Sequence, residues 1–117
     1  MRDMSKGLVI AGILLTVAGV RAGAAQQPEG QAVFRENCKT CHGINGVPPE
    51  REKAKYAKLR TLGDSGFVSR LAVDSIVKIV TKGIDKNMKS FSDKLSPEEI
   101  QAVAGYIKEL AEKKKGG

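Results

Sequence analysis

Both cysteines of the chain and its only histidine stand within five consecutive residues, in the stretch "ENCKTCHGING". They have the spacing Cys-x-x-Cys-His, formed by Cys38, Cys41 and His42. A disulfide between two cysteines so close together closes a very small ring and adds almost no stability to a fold. The spacing therefore indicates a chemical site rather than a structural cross-link.

Three kinds of site use cysteines at this spacing, and they differ in what else they need. A thioredoxin-like redox pair needs a strand directly before the motif, whereas a helical pattern precedes it here. A closed zinc centre needs a fourth ligand, but the chain has no further cysteine or histidine. Covalent haem attachment needs only two thiols for the porphyrin vinyl groups and a histidine for the iron. We interpret Cys38 and Cys41 as haem thioethers and His42 as an axial ligand.

The second axial position of such a haem has few candidate ligands in this sequence. No second histidine exists, and two of the three methionines stand in the first four residues. The third, Met88, lies in a polar, lysine-bearing loop, where core packing is an unfavourable role. Methionine ligation raises the iron's potential and suits electron transfer. We predict Met88 as the second ligand; an open position or a ligand from Lys86 or Lys89 is the alternative.

The N-terminal residues have the pattern of a secretory signal peptide. A basic start precedes "LVIAGILLTVAGV", and small residues in the Ala-x-Ala pattern follow at Ala22 and Ala24. The apolar run is shorter than the roughly 20 residues that span a bilayer. We predict a signal peptide over 1–24, cleaved near Ala24, and one periplasmic domain over 25–117. A retained segment that anchors the domain to the membrane is the alternative.

The remaining sequence predicts an all-α domain, because apolar residues recur at helical spacing and no strand pattern stands out. We expect a first helix over about 28–39, ending in the haem motif, and a short polar helix in "EREKAKYAKL". "TLGDSG" is read as a break. A further helix is expected in "VDSIVKIVTKG", capped by Asp74 or Ser75 and ended by Gly83.

The last helix has the clearest start and stop signals in the chain. In "LSPEEIQAVAGYIKELAEKKK", Ser96 is the expected N-cap, Pro97 takes the first helical position, and Glu99 is placed for a capping box. Its expected apolar face consists of Ile100, Val103, Ile107 and Leu110.

Together these segments resemble the class I c-type cytochromes, small single-haem electron carriers of bacterial periplasms and related compartments. "GQAVFRENCKTCHG" is similar to the family's first helix and haem motif, "SIVKIVTKGIDKNMKSF" to its middle helix and methionine loop, and "LSPEEIQAVAGYIKEL" to its last helix. The resemblance extends over about 30–110 and is weak over 50–71. It is nearest to the c6, c553 or cbb3-subunit types. It implies a cytochrome c fold, with three to five helices around one covalently bound haem c and with crossing N- and C-terminal helices.

The resemblance also implies roles for particular residues. At the helix crossing the matching positions are Gly30 and Phe34 on the first helix against Val103 and Tyr106 on the last. Gly105 is expected to help the two backbones approach. In the family, the haem histidine donates its second N–H to a downstream carbonyl, which here would belong to Pro48 or Pro49. The family often has a proline directly after the ligating methionine, whereas Lys89 follows Met88, which leaves the stiffness of this loop open.

The implied function is one-electron transfer between Fe(II) and Fe(III) by a soluble periplasmic carrier. The alternative is a haem sensor or gas-ligand-binding protein whose sixth iron position is open or weakly held. No acid–base pair or phosphate-binding loop in the sequence indicates an enzyme. Our expected apolar haem contacts, each of which could equally be core, are Phe67, Ile76, Ile79, Val80 and Phe91.

The chain is basic, with a net charge of +7. A basic surface favours partners with an acidic docking surface, such as an oxidase, a reductase or a photosynthetic or respiratory complex. Peripheral membrane association is a further option. Nucleic acid is not an expected partner, because the chain carries an export signal and no recognition motif.

Overall fold

The computed structural model describes Gly12 and residues 28–113, so the predicted signal peptide over 1–24 lies outside the described residues apart from that one glycine. The described chain contains helices and loops and no β-strand. The helices are α1 (Gly30–Asn37), α2 (Lys39–His42), α3 (Glu50–Lys55), α4 (Gly66–Ser69), α5 (Val73–Lys82) and α6 (Pro97–Glu112). None of these helices is long and apolar enough to cross a bilayer. The all-α prediction is confirmed.

The structure has six helices where three to five were expected, and the difference is due to α2 and α4, each of which is a single helical turn. The first predicted helix is divided at Cys38, which separates α1 from the four-residue α2. The four-residue α4 lies in the stretch read as a break. Ser65 caps α4 by accepting the N–H of Val68 at 3.1 Å, which is a short-range signal that the neighbouring glycines obscured.

The bounds of α5 differ from the prediction only at its start. Ala72 occupies the N-cap position without a side-chain hydrogen bond, so neither Asp74 nor Ser75 caps the helix. Gly83 ends α5 as predicted, with a φ of 72° that residues with side chains rarely adopt.

The last helix forms as its sequence predicts. The Ser96 hydroxyl accepts the Glu99 N–H at 3.1 Å, and the Glu99 carboxylate accepts the Ser96 N–H at 2.8 Å. These two bonds form the predicted capping box, with Pro97 at the first position. The helix that they start, α6, packs against α1, α4 and α5 and is the central element of the domain.

Helices α1 and α6 cross where their backbones approach too closely for an intervening side chain. A Cβ on Gly30 would overlap the carbonyl oxygen of Ala102 and lie 2.8 Å from the Cβ of Tyr106. The ring of Phe34, which is fully buried, meets the Tyr106 ring edge-on, with centroids 5.4 Å apart. Gly105 is different, because a Cβ there would meet nothing within 4 Å. The expected role of Gly105 in the close approach is therefore wrong.

The loop between α3 and α4 is tied to the C-terminal end of α6. The N–H groups of Asp64 and Ser65 donate to the carbonyls of Leu110 and Ala111, at 2.9 and 3.0 Å. These bonds satisfy two of the carbonyls that a helix leaves unpaired at its end. The segment that matched the family weakly is therefore held by tertiary hydrogen bonds.

The core is one cluster of apolar side chains around α6. Its buried members are Val33, Phe34, Val68, Ile76, Val80, Leu95, Ile100, Val103, Ala104, Ile107, Leu110 and Ala111. The predicted apolar face of α6 lies entirely within this cluster.

Candidate haem site

The Cys-x-x-Cys-His motif lies where α1 ends and α2 begins. The Cys38 N–H donates to the Phe34 carbonyl at 2.8 Å, and the His42 N–H donates to the Cys38 carbonyl at 2.9 Å. Cys41 follows Cys38 by three residues and His42 follows by four, so this turn places them on neighbouring positions of one face. The motif is thus anchored by α1, the helix that crosses α6.

Both cysteines are half-buried free thiols. Burial raises the pKa of the Cys38 thiol to about 11; the nearby Cys41 acts in the same direction and Lys94 in the opposite one. A thioredoxin-like pair requires a nucleophilic cysteine whose pKa is lowered. The raised pKa, with a helix rather than a strand before the motif, argues against the redox-pair interpretation.

His42 is half-buried, and its Nδ1 atom is buried without a hydrogen-bond partner among the described residues. The expected hydrogen bond from its ring to Pro48 or Pro49 is therefore not formed through Nδ1. Burial lowers the pKa of His42, while the Arg60 backbone acts in the opposite direction through a hydrogen bond. Burial thus favours the neutral imidazole, which is the form that binds a metal. No pattern in the sequence indicates that Arg60 lies near this ring.

Met88 lies in the loop after α5, residues 83–90, which we call the methionine loop. Its side chain is half-buried and packs against the hydrophobic core. The Ile84 N–H donates to the Met88 carbonyl at 3.0 Å. An Asp85 carboxylate oxygen accepts the Asn87 N–H at 2.7 Å. The methionine loop is thus organised by hydrogen bonds although no proline follows Met88.

The structure places Met88 and Cys38 against the same core cluster, whereas the alternative ligands Lys86 and Lys89 are exposed. A half-buried thioether is more easily kept near an apolar group than an ammonium, which loses hydration when it is buried. The half-buried position of Met88 and the exposure of both lysines favour methionine over lysine as the second ligand.

The expected apolar haem contacts occupy different environments. Ile76 and Val80 are buried in the core, and Ile79 and Phe91 are half-buried. Phe67 is exposed, and the Arg60 guanidinium lies 4.3 Å from the centroid of its ring. Ile76 and Val80 therefore belong to the core cluster, and their contact with haem stays a prediction.

The residues present fit a covalently bound haem. Free thiols are available for thioether bonds, and the histidine has a buried ring nitrogen without a partner. Large apolar side chains that are at least 41% exposed flank these donors: Ile44 and Val47 follow the motif, and Ile84 lies in the methionine loop. Exposed apolar side chains that lie together often mark a ligand site. Within residues 28–113 no group of three or more His, Cys, Asp and Glu side chains is arranged to hold a metal ion by itself.

Comparison with known proteins identifies the family. The family described as "Cytochrome C oxidase, cbb3-type, subunit III" matches residues 25–107. The chain is 44% identical over 101 residues to chloroplastic cytochrome c6 of Chlamydomonas reinhardtii, covering 85% of this chain and 64% of that protein. It is 40% identical over 87 residues to cytochrome c6 of Microcystis aeruginosa, covering 73% of this chain and 98% of that protein.

A solved structure shows the same architecture. Cytochrome c6 from the diatom Phaeodactylum tricornutum superposes with a TM-score of 0.52 at 32% identity, over 71% of this chain and 91% of that one. A helical fold with contacting terminal helices and Cys-x-x-Cys-His after the first defines a monohaem c-type cytochrome of class I. Within that class the chain belongs to the cytochrome c6 family, whose members carry electrons and are not enzymes.

Proposed function

We propose that the chain is an exported one-electron carrier whose single haem is bonded to Cys38 and Cys41 and ligated by His42 and Met88. The observation that carries this proposal is the hydrogen-bonded methionine loop, which keeps Met88 half-buried against the core that also contacts Cys38. When bound, the haem supplies an Fe(II)/Fe(III) couple. The polypeptide supplies two axial donors and an apolar environment.

Each donor is suited to its role by its surroundings. Burial favours the neutral form of His42, so no proton has to leave before the ring binds iron. The Met88 thioether is uncharged at every pH, and as an axial ligand it raises the reduction potential. The buried apolar side chains of α5 and α6 would limit the access of water to the haem, which also favours the reduced state of the iron.

The proposed location of the protein is the periplasm, which it reaches through a signal peptide cleaved near Ala24. The supporting pattern is the basic start, the short apolar run and the small residues before the predicted cleavage site. Covalent attachment of haem to a Cys-x-x-Cys-His motif takes place outside the cytoplasm, which agrees with export. Retention of the segment would instead anchor the carrier to the membrane.

The proposed partners are redox proteins with acidic docking surfaces. Exposed lysines lie within and after the haem motif and in and near the methionine loop: Lys39, Lys53, Lys55, Lys58, Lys86, Lys89 and Lys94. Lys94 is close enough to Cys38 to act on the pKa of its thiol. Complementary charge mainly accelerates encounter and orients the partner.

Substitution of the proposed sixth ligand tests this function. We expect Met88→Ala to abolish the near-infrared charge-transfer band of a methionine sulfur on ferric haem and to lower the reduction potential. The matched controls, Lys86→Ala and Lys89→Ala, should keep the band. A wild-type protein that lacks the band and readily binds carbon monoxide would contradict the carrier function and favour the gas-binding alternative.

A further inference from the structure

The methionine loop contains a turn whose side-chain acceptor is a single carboxylate. Asp85 Oδ1 accepts the Asn87 N–H at 2.7 Å and the Met88 N–H at 3.4 Å. The first distance is typical of a bond to a charged acceptor, and the second is longer and weaker. An aspartate that accepts the N–H two residues later forms an Asx turn, which fixes the intervening backbone. Asp85 therefore orders the residues that lead directly to the Met88 side chain.

The opposite side of the same turn is closed by the backbone. The Ile84 N–H donates to the Met88 carbonyl at 3.0 Å. A Cβ on Gly83 would lie 2.5 Å from that carbonyl oxygen, so only glycine allows this approach. The backbone of Met88 is consequently held at its carbonyl by Ile84 and at its N–H by Asp85.

The other fixed point of the methionine loop lies after Met88. The Ser90 hydroxyl donates to the Thr81 carbonyl and pairs with the Ser92 hydroxyl. Between these fixed points stands Lys89, whose φ is not restricted by a ring as that of a proline would be. The carboxylate of Asp85 is thus the one side chain, among the described residues, that bonds the N–H groups of Asn87 and Met88.

We propose that Asp85 is a positioning residue for the Met88 sulfur and stiffens the loop in the absence of a following proline. This inference rests on the proposed function, in which Met88 is the axial ligand. By narrowing the backbone conformations at Met88, the carboxylate increases the fraction of molecules whose sulfur stays on the iron. A competing ligand binds only the remaining fraction, so its apparent affinity reports how well Met88 is positioned.

The test is imidazole binding to the purified, haem-loaded ferric protein and its variants. We expect Asp85→Ala to raise the apparent imidazole affinity about tenfold, because a hydrogen bond to a charged acceptor is lost. Asp85→Asn keeps an acceptor oxygen at the same position and should stay within about threefold of wild type. Asp85→Glu keeps the charge but displaces the oxygen, and should resemble Asp85→Ala.

Asp93→Ala is the matched control, because Asp93 is an exposed aspartate nearby whose side chain makes no hydrogen bond in the described part of the chain. We expect it to leave the imidazole affinity within about twofold of wild type. The proposal is overturned if Asp85→Ala leaves the imidazole affinity unchanged. It is also overturned if Asp85→Asn or Asp93→Ala raises the imidazole affinity as much as Asp85→Ala does.

Two measurements separate this inference from the proposed function. A wild type without the methionine–iron band refutes Met88 ligation, and the role of Asp85 is then refuted with it. A wild type with the band, whose imidazole affinity does not respond to Asp85→Ala, refutes the positioning role alone. Thermal unfolding of each variant shows whether it has folded. If Asp85→Ala does not fold, the imidazole affinities of Asp85→Asn and Asp85→Glu are compared instead, and equal affinities would refute the positioning role.

Discussion

At the scale of single residues, burial decides what each donor can do. It raises the pKa of the Cys38 thiol and lowers that of His42, so both groups are held neutral. A neutral imidazole is ready to bind iron, whereas a thiol held protonated is a poor redox nucleophile. The same motif thus favours haem attachment and disfavours thiol exchange.

The two proposed thioether bonds can be separated by single substitutions. We expect Cys38→Ser and Cys41→Ser each to retain haem through the remaining thiol, and the double variant to have no covalent haem, because the chain has only these cysteines. Extraction with acidified organic solvent should remove haem from the double variant alone. Release of haem from the wild type under the same conditions would contradict covalent attachment.

The sequence indicated the donors but not their supporting contacts. Cys38, Cys41 and His42 stand together in the chain, so their spacing is itself the signal. The Arg60 backbone approaches His42 from a distant segment, and no local pattern announces such a contact. Asp85 did have a local signal. It is an aspartate that follows the helix-ending Gly83 by two residues, and an aspartate in such a loop often accepts the N–H two residues later in an Asx turn.

At the scale of helices, the domain depends on one close crossing. Gly30 on α1 lies against the backbone of α6, and no Cβ can enter that space. Because α1 ends in the haem motif, a displaced crossing would also displace Cys38 from the core that contacts Met88. The crossing therefore couples the stability of the fold to the geometry of the site.

Two glycine substitutions test the crossing and provide their own control. We expect Gly30→Ala to lower the free energy of unfolding by about 1–3 kcal/mol, because the added methyl group forces the helices apart. Gly105→Ala lies in the middle of α6 with open space around it and should raise stability by about 0.5–1 kcal/mol. Denaturant titration of the haem-loaded variants measures both. Equal effects of the two substitutions would show that the close approach does not matter.

The helices differed in how far local sequence determined them. Helix α6 was predictable because Ser96, Pro97 and Glu99 signal its start within four residues. The start of α5 was misplaced because two polar residues suggested a cap that the backbone does not use. Helix α4 escaped prediction for two reasons. The glycines on either side of Ser65 obscured its local cap. The loop before α4 is also held by hydrogen bonds to α6, which are contacts distant in sequence.

At the scale of the whole molecule, the excess of basic residues governs how the carrier meets other proteins. The chain has 20 Lys and Arg against 13 Asp and Glu, and only a few of these charges belong to the predicted signal peptide. Few of the charges are paired within the described residues: one ion pair joins Lys53 to Glu50 and another joins Arg51 to Glu52, while Lys108 and Glu112 are 3.8 Å apart. Most of the positive charge therefore remains available to attract an acidic surface.

Small redox reagents of opposite charge test the effect of this positive surface charge on electron transfer, and they require no identified protein partner. We expect electron transfer with hexacyanoferrate, an anion, to slow as ionic strength rises from about 10 mM to 0.15 M, over which the Debye length falls from about 30 to about 8 Å. Transfer with hexaammineruthenium, a cation, should accelerate over the same range. Lys94→Gln should weaken the response to the anion more than Lys78→Gln, because Lys94 is the lysine whose charge acts on Cys38. Stopped-flow rates that do not depend on the sign of the reagent would show that the basic surface does not guide electrons to the haem.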